Sequence, residues 1–170
     1  MCLYVLYGNS LKNIPQLPSV VLPDSVDGYY RLWGKVRGIW KHLRQRHLHQ
    51  FDWFLKADDD TYIIVDNLRT FLDRRFSSEQ STAAGDAVWF GARLRNRKVP
   101  GGYHSGGAGY VLSRRALELF DDGRSCSQMN FGYEDLEMGK SFVSPLPPRH
   151  RKWNPITSTA SDAIGKCAGY

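Results

Sequence analysis

Residues 52–68 read DWFLKADDDTYIIVDNL, a short apolar run that ends directly at three consecutive aspartates, Asp58, Asp59 and Asp60. Adjacent carboxylates repel one another, so their charge has to be compensated. A solvated Asp-rich turn is one interpretation, because aspartate is common in turns. A divalent cation is the other, because carboxylates at positions i and i+2 can face one ion when the backbone between them turns.

The spacing alone leaves these two interpretations about equal. Asp58 and Asp60 have the i, i+2 spacing, and carboxylate oxygens suit hard ions such as Mg²⁺ and Mn²⁺. The apolar run WFLKA in front of them favours the metal site. A buried strand would hold the carboxylates rigidly at the edge of a sheet, as a binding site requires.

The composition is that of one globular domain, with 170 residues, 42% hydrophobic and 13% aromatic. A net charge of +6 favours anionic partners, but no nucleic-acid-binding motif is present, so we expect no nucleic-acid partner. No apolar run approaches the roughly 20 residues of a membrane-spanning helix, and we expect any membrane anchor to lie outside this chain. Cys2, Cys126 and Cys167 lack the CxxC spacing of a zinc ribbon, and their disulfide state stays open.

Strands and helices alternate outward from this stretch. Apolar runs predict strands at 2–7, 52–57, 87–94 and 109–113. A stripe of Leu32, Val36, Ile39 and Leu43, widened by Trp40, predicts a helix over about 30–49. Further helices are predicted to begin at Asp66, near Ser113 and at Glu134–Asp135, and to bury Leu68, Phe71, Leu72, Ala116, Leu117 and Phe120. The alternation predicts an α/β domain with a largely parallel sheet, in which ligands bind at the carboxyl ends of strands.

Two further motifs suggest chemistry. Glu134 and Asp135 form an adjacent acid pair where a loop becomes a helix, which fits either a general base or ordinary first-turn electrostatics. Gly106, Gly107 and Gly109 would let the backbone approach a ligand closely. Their turn lacks the G-x-x-x-x-G-K-[ST] pattern of a P-loop, which argues against a nucleotide triphosphatase.

Four blocks carry a family resemblance: DWFLKADDDTYIIVDNLRTFL, WFGARL, GGYHSGGAGYVLSRRAL and YEDLEMGKSF. Their order and approximate spacing resemble the core 1 β1,3-galactosyltransferases (glycoprotein-N-acetylgalactosamine 3-β-galactosyltransferases), in the family that also holds the fringe enzymes. The likeness covers about residues 28–142. It implies a GT-A-type, Rossmann-like α/β fold, apparently truncated at both ends, with a partial domain at 1–142 and an irregular segment at 143–170.

The resemblance also implies an activity: Mn²⁺-dependent, inverting transfer of galactose from UDP-galactose to the 3-hydroxyl of GalNAc on Ser or Thr of a glycoprotein. It assigns roles to particular residues, namely metal binding to Asp58 and Asp60, donor binding to Asp59 and Lys35, catalysis to Asp135 with Glu134, and acceptor binding to Tyr103, Gly106 and Gly107. It implies the lumenal side of the Golgi membrane and is compatible with a homodimer.

The sequence departs from the family pattern in three places. The family has a metal-ligand histidine shortly after a segment like ASDAIGK (160–166), whereas this chain continues with CAGY, and neither His104 nor His150 fits that motif. Tyr29 stands where the family has an arginine, and no counterpart of the family's first strand and helix precedes CLYVLYG. We therefore expect a fragment.

Two alternatives remain at this point. The missing histidine motivates a catalytically silent relative that acts as a folding partner of a transferase, although such a protein would not need the intact aspartate triplet. A fringe-like GlcNAc transferase acting on O-fucose is the other, because it uses a similar scaffold.

Overall fold

The computed structural model describes residues 5–7, 19–22, 28–76, 87–120, 129–143 and 164–166. Four helices lie in these ranges: α1 (Leu32–His47), α2 (Val65–Phe76), α3 (Arg114–Leu119) and α4 (Glu134–Val143). Nine strands lie in them: β1 (Val5–Tyr7), β2 (Ser19–Val21), β3 (Trp53–Lys56), β4 (Thr61–Ile63), β5 (Trp89–Gly91), β6 (Arg93–Asn96), β7 (Val99–His104), β8 (Tyr110–Ser113) and β9 (Ile164–Lys166).

A three-stranded sheet in the order β3-β8-β5 is the centre of the fold. The central strand β8 is buried at all four positions, as expected for a strand covered on both faces. Side chains alternate between its faces. Leu112 packs in a cluster with residues of α1, α3 and α4, and Val111 packs in a second cluster with residues of α2. The domain is therefore an α/β structure with helices on both faces of the sheet.

The prediction of a largely parallel sheet does not hold for this sheet. Strand β8 pairs antiparallel with β3 and with β5. Among the described residues, the parallel pair is β1 with β2. The alternation of strands and helices suggested crossovers, but β8 is reached from β5 through the β6–β7 hairpin, so it runs in the opposite direction.

The helices form where the sequence predicted them, with small shifts. In α3 the Ser113 side chain caps the helix by accepting from the Ala116 backbone N–H, and Ala116, Leu117 and Phe120 are buried as predicted. Helix α2 begins at Val65, one residue before the predicted Asp66 cap, and buries Leu68, Leu72 and Phe76.

The predicted buried stripe of α1 is confirmed in part. Val36 and Trp40 are buried as predicted, whereas Leu32, Ile39 and Leu43 are only partly buried and Trp33, which was not predicted, is buried. The two indoles have the larger apolar surface to remove from water, so the helix turns toward them.

The predicted strand at 87–94 is divided. Its first part is β5, and its second part is β6, which pairs antiparallel with β7 in a separate two-stranded sheet. Strand β9 lies within the segment 143–170 that was expected to be irregular, and it pairs with β4. The remainder of that segment after α4 lies outside the described residues. Within the described part of the chain, no helix has the length and apolar character needed to cross a membrane.

His104 is the last residue of β7 and lies in the interior. Its side chain is 4% exposed, and its ring stands perpendicular to that of Trp89 with the ring centroids 4.5 Å apart. Burial lowers the pKa of His104 to about 4 from the ordinary 6.5, with the charge of Arg93 acting in the same direction. The folded protein therefore holds this imidazole neutral near pH 7.

Acid should destabilise the fold through His104. The pKa is lower in the folded state, so the unfolded chain binds the proton more strongly, and stability present above pH 6.5 is lost as the pH falls toward about 4. We expect this group to remove up to about 3 kcal/mol from the free energy of unfolding across that interval. Urea unfolding at several pH values, compared with His104→Gln, measures it. Parallel pH profiles for the two proteins would contradict the expectation.

Candidate active site

One edge of the central sheet collects the acidic and glycine-rich motifs. Strand β3 ends at Lys56, which pairs with Tyr110, the first residue of the antiparallel strand β8. The aspartates follow β3 and the glycine-rich turn precedes β8, so both lie at the same edge. The antiparallel pairing of β3 with β8 causes this, whereas a parallel pairing would place the turn before β8 at the opposite edge.

Lys56 joins the motifs at this edge. Its ammonium contacts Asp58 Oδ1 at 2.5 Å, Glu134 Oε1 at 2.9 Å and the carbonyl oxygen of Gly106 at 3.0 Å. Its side chain is only 12% exposed. Burial alone would lower the pKa of Lys56, but the charges and hydrogen bonds of Glu134 and Asp58 outweigh it, so the pKa is raised and the lysine stays charged.

Glu134 is the buried partner in this cluster. Lys56 donates to one carboxylate oxygen, and the Tyr110 hydroxyl donates to the other at 3.0 Å. The Trp40 indole N–H in turn donates to the Tyr110 hydroxyl at 3.4 Å. Burial raises the pKa of Glu134 even though Lys56 and Tyr110 favour its ionised form. Because both oxygens are occupied by interior donors, Glu134 is suited to a structural role.

Gly106 is required by the position of Glu134. A Cβ atom built on Gly106 would lie 1.8 Å from Glu134 Oε1, which no side chain can tolerate. The missing side chain lets the backbone carbonyl reach Lys56. The neighbouring carbonyl of Gly107 accepts from the Thr61 hydroxyl at 2.7 Å, which fixes the glycine-rich turn against the residue that follows the aspartates.

Asp135 is placed differently from Glu134. It is only partly buried, its Oδ1 accepts from the Leu136 backbone N–H at 2.8 Å, and its Oδ2 faces the Gly106 backbone N–H at 3.4 Å. Tyr103 lies on β7, and the pKa of its hydroxyl is raised by burial and by the nearby charge of Asp135. The Asp135 carboxylate therefore lies near Tyr103 and Gly106, two of the predicted acceptor residues.

The aspartate triplet forms an exposed turn closed by a backbone hydrogen bond from Thr61 N–H to Asp58 C=O at 3.2 Å. The Asp58 side chain is 43% exposed. Strand β4 begins immediately after Asp60, and its first residue pairs with Lys166 at the end of β9. Lys166 therefore lies opposite the residue that directly follows the aspartates.

The donor set of this turn fits a hard divalent ion in part. Asp58 and Asp60 supply carboxylate oxygens, and the turn is exposed, so waters and ligand oxygens have room to complete a coordination shell. Within the described ranges there is no group of three or more His, Cys, Asp or Glu side chains arranged to hold a metal. Metal binding by Asp58 and Asp60 therefore stays a prediction.

The remaining predicted residues are placed as follows. Lys35 lies on α1 and is partly buried, and Asp59 is exposed within the triplet turn. Their roles toward a donor, like the roles assigned to the acids and glycines, stay predictions. The three cysteines and His150 lie outside the described residues.

Sequence reasoning missed Lys56 and Tyr110, which hold the site together. A signal for Lys56 was present, because a lysine inside the apolar strand WFLKA is rarely buried without a partner. Tyr110 gave no signal of its own, because its role depends on the antiparallel pairing with Lys56.

The aspartate turn and the Glu134–Asp135 pair thus meet at one edge of the sheet of an α/β domain. A family model described as Fringe-like matches residues 32–138, which span every predicted site residue. The chain belongs to this Fringe-like family.

Curated relatives agree with this assignment. The chain is 43% identical over 122 residues to glycoprotein-N-acetylgalactosamine 3-beta-galactosyltransferase 1 of Xenopus laevis, covering 72% of this chain and 31% of that protein. It is 32% identical over 133 residues to chondroitin sulfate synthase 3 of Mus musculus and of Homo sapiens, covering 74% of this chain and 15% of each. The chain thus spans less than a third of the length of these relatives. The predicted membership of a glycosyltransferase family is confirmed.

Removal of the Lys56 ammonium should destabilise the protein strongly. Lys56→Met leaves Glu134 buried without its cation, and we expect a loss of about 3 kcal/mol in the free energy of unfolding. Adding Glu134→Gln to that variant should restore part of the loss, because it removes the uncompensated charge. Denaturant unfolding of both variants measures the effect.

Lys140→Met is the control, since Lys140 is 44% exposed in its ion pair with Glu137 on α4, whereas Lys56 is 12% exposed. Its cost should stay within about 1 kcal/mol. Equal losses for Lys56→Met and Lys140→Met would show that the Lys56 cluster contributes no special stability.

Proposed function

We propose that the chain is part of a metal-dependent, inverting β1,3-glycosyltransferase that moves galactose from UDP-galactose to the 3-hydroxyl of GalNAc on Ser or Thr of a glycoprotein. One observation carries the proposal most directly: Lys56 and Gly106 connect the aspartate turn to the Glu134–Asp135 pair. A transferase needs a donor-binding group and a base at one site, and these motifs meet at one edge. The 43% identity to the Xenopus galactosyltransferase supports galactose as the sugar.

Asp135 is our candidate for the general base. An inverting displacement needs one carboxylate on the acceptor side of the sugar, within hydrogen-bond reach of the attacking hydroxyl. Asp135 is partly exposed, whereas both oxygens of Glu134 accept from Lys56 and Tyr110. Glu134 is then a positioning residue that keeps the start of α4 and the glycine-rich turn in register.

The reaction would proceed in one displacement. Asp135 removes the proton from the acceptor hydroxyl, the hydroxyl oxygen forms its bond to the anomeric carbon, and the bond from that carbon to UDP breaks on the opposite face. Tyr103, Gly106 and Gly107 would line the acceptor side, with Asp59 and Lys35 near the donor.

Asp58 and Asp60 would hold Mn²⁺. When bound, the ion supplies Lewis-acid stabilisation of the charge that develops on the leaving diphosphate. Asp58 also contacts Lys56, so this carboxylate would lie between two cations. Strand β9 pairs with the strand that directly follows the aspartates, so its last residue, Lys166, lies next to the proposed metal site.

The same proposal includes a cellular location, partners and an assembly for the protein. The family resemblance implies the lumenal side of the Golgi membrane, with GalNAc-bearing glycoproteins as partners, an anchor outside this chain and a homodimer as the assembly to test. The chondroitin sulfate synthase relatives motivate the inclusion of other acceptors in any assay.

Two substitutions should separate donor binding from catalysis. Calorimetric titration with UDP should show binding that requires Mn²⁺ and is lost in Asp60→Ala, because the carboxylate that holds the ion is gone. Asp135→Asn should bind UDP with Mn²⁺ normally but transfer galactose to a GalNAc-threonine peptide about 10²- to 10⁴-fold more slowly, since it removes the base.

Asp66→Asn, an exposed acid in the first turn of α2, is the matched control and should change neither property. Equal affinity for UDP with and without Mn²⁺ would contradict the metal-dependent mechanism. Transfer from UDP-GlcNAc in preference to UDP-galactose would replace the proposed donor with that of the fringe-like alternative.

A further inference from the structure

The β6–β7 hairpin carries a concentrated positive charge that the proposed reaction does not use. Four cationic residues lie within six positions, and all are exposed: Arg93, Arg95, Arg97 and Lys98. Within the described part of the chain, none of them lies within ion-pair distance of a carboxylate; the acids found in such pairs are elsewhere. Such a cluster repels itself, so an anionic ligand would relieve an existing cost.

These side chains border a groove of about 310 Å³. Arg93, Arg95 and Arg97 line it together with Val99 and Pro100 of β7. The groove therefore combines guanidinium groups, which are suited to bidentate contacts with carboxylates, with a small apolar floor.

Arg93 is already held in position. Its guanidinium donates to the Gly101 carbonyl at 2.8 Å. A Cβ atom on Gly102, which has φ +80°, would lie 3.0 Å from Arg93 Nε, so the glycine leaves room for the arginine against the backbone. A side chain fixed before binding loses less entropy when a ligand arrives.

The edge of β6 indicates the type of ligand. In the ranges that the structure describes, β6 pairs with β7 and its other edge has no strand beside it. An extended polypeptide can add to such an edge through main-chain hydrogen bonds, which a polysaccharide cannot do in the same way. Arg93, Arg95 and Arg97 are exposed at every second position of the chain, across an irregularity in the pairing of β6 with β7 between Leu94 and Asn96, and an added strand could offer acidic side chains to them.

The hairpin also adjoins the proposed active site. Strand β7 carries Tyr103 and ends at His104, and the next residues are Ser105 and Gly106 of the glycine-rich turn. We propose that the β6–β7 hairpin binds an extended acidic segment of the acceptor polypeptide, adjacent to the residue that receives the sugar. This proposal rests on the proposed function for the identity of the polypeptide, but the binding itself does not require transfer.

Binding of two fluorescent octapeptides tests the proposal, one alternating Glu and Thr and the other alternating Gln and Thr. Measured by anisotropy without metal or donor, the Glu peptide should bind more tightly, and its affinity should fall as salt rises from about 50 to about 300 mM. Arg95→Glu/Arg97→Glu should weaken it at least about tenfold. Arg69→Glu/Arg74→Glu on α2 makes the same change in net charge and should cost less than about threefold.

Two further probes separate the alternatives. Two forms of the Glu-Thr peptide are compared, one N-methylated at the odd amides and one at the even amides. One of the two forms should lose binding, because an added strand donates every second N–H to the edge of β6. Equal binding of both N-methylated forms and the parent peptide, or a heparin octasaccharide that binds more tightly than the Glu peptide, would overturn the proposal. The proposal would also be contradicted if Arg95→Glu/Arg97→Glu and Arg69→Glu/Arg74→Glu lowered the affinity for the Glu peptide equally.

Failure of the hairpin proposal can be distinguished from failure of the transferase proposal. Asp135→Asn should keep the full affinity for the Glu peptide, because Asp135 is not part of the hairpin. If this variant and the parent both bind the peptide while neither transfers sugar, the hairpin proposal stands and the transferase proposal fails. If the parent transfers galactose but shows no preference for the acidic peptide, the transferase proposal stands and the hairpin proposal fails.

Discussion

The ion pair between Lys56 and Glu134 is the contact on which the site depends. A charged lysine and a charged glutamate in an interior are costly unless each is paired and hydrogen-bonded. Here the pair is completed by Asp58, Tyr110 and the Gly106 carbonyl. Because those partners come from distant parts of the chain, the pair forms only when the turn after β3, the glycine-rich turn and the start of α4 are assembled together.

The antiparallel sheet explains why one lysine can reach all of these groups. In β3, Phe54 and Lys56 are two residues apart and therefore share a face, the face on which Phe54 packs in the cluster with α1, α3 and α4. Lys56 is the last residue of that strand and pairs with Tyr110 at the start of β8. Phe54 packs in the core, and Lys56, on the same face, lies at the edge of the sheet where the predicted site residues meet.

Much of this could be predicted from the sequence, because periodicity and capping are local. The Ser113 cap and the beginning of α4 at Glu134 follow from residues a few positions apart. Strand direction is not local, so the antiparallel course of β8 was missed, and with it the pairing of Tyr110 with Lys56. Adjacency alone left ordinary first-turn electrostatics open for Glu134 and Asp135, and the different burial of these two acids is not visible in the sequence.

The most direct test of a shared site uses Mn²⁺ as a paramagnetic probe in NMR spectra of the whole chain. The account predicts that substoichiometric Mn²⁺ broadens the amide signals of Asp58–Thr61 together with those of Gly106, Gly107 and Asp135, and that Asp58→Asn/Asp60→Asn abolishes the broadening. Broadening confined to the aspartate turn, or centred elsewhere and unchanged in that variant, would contradict the claim that these motifs form one site.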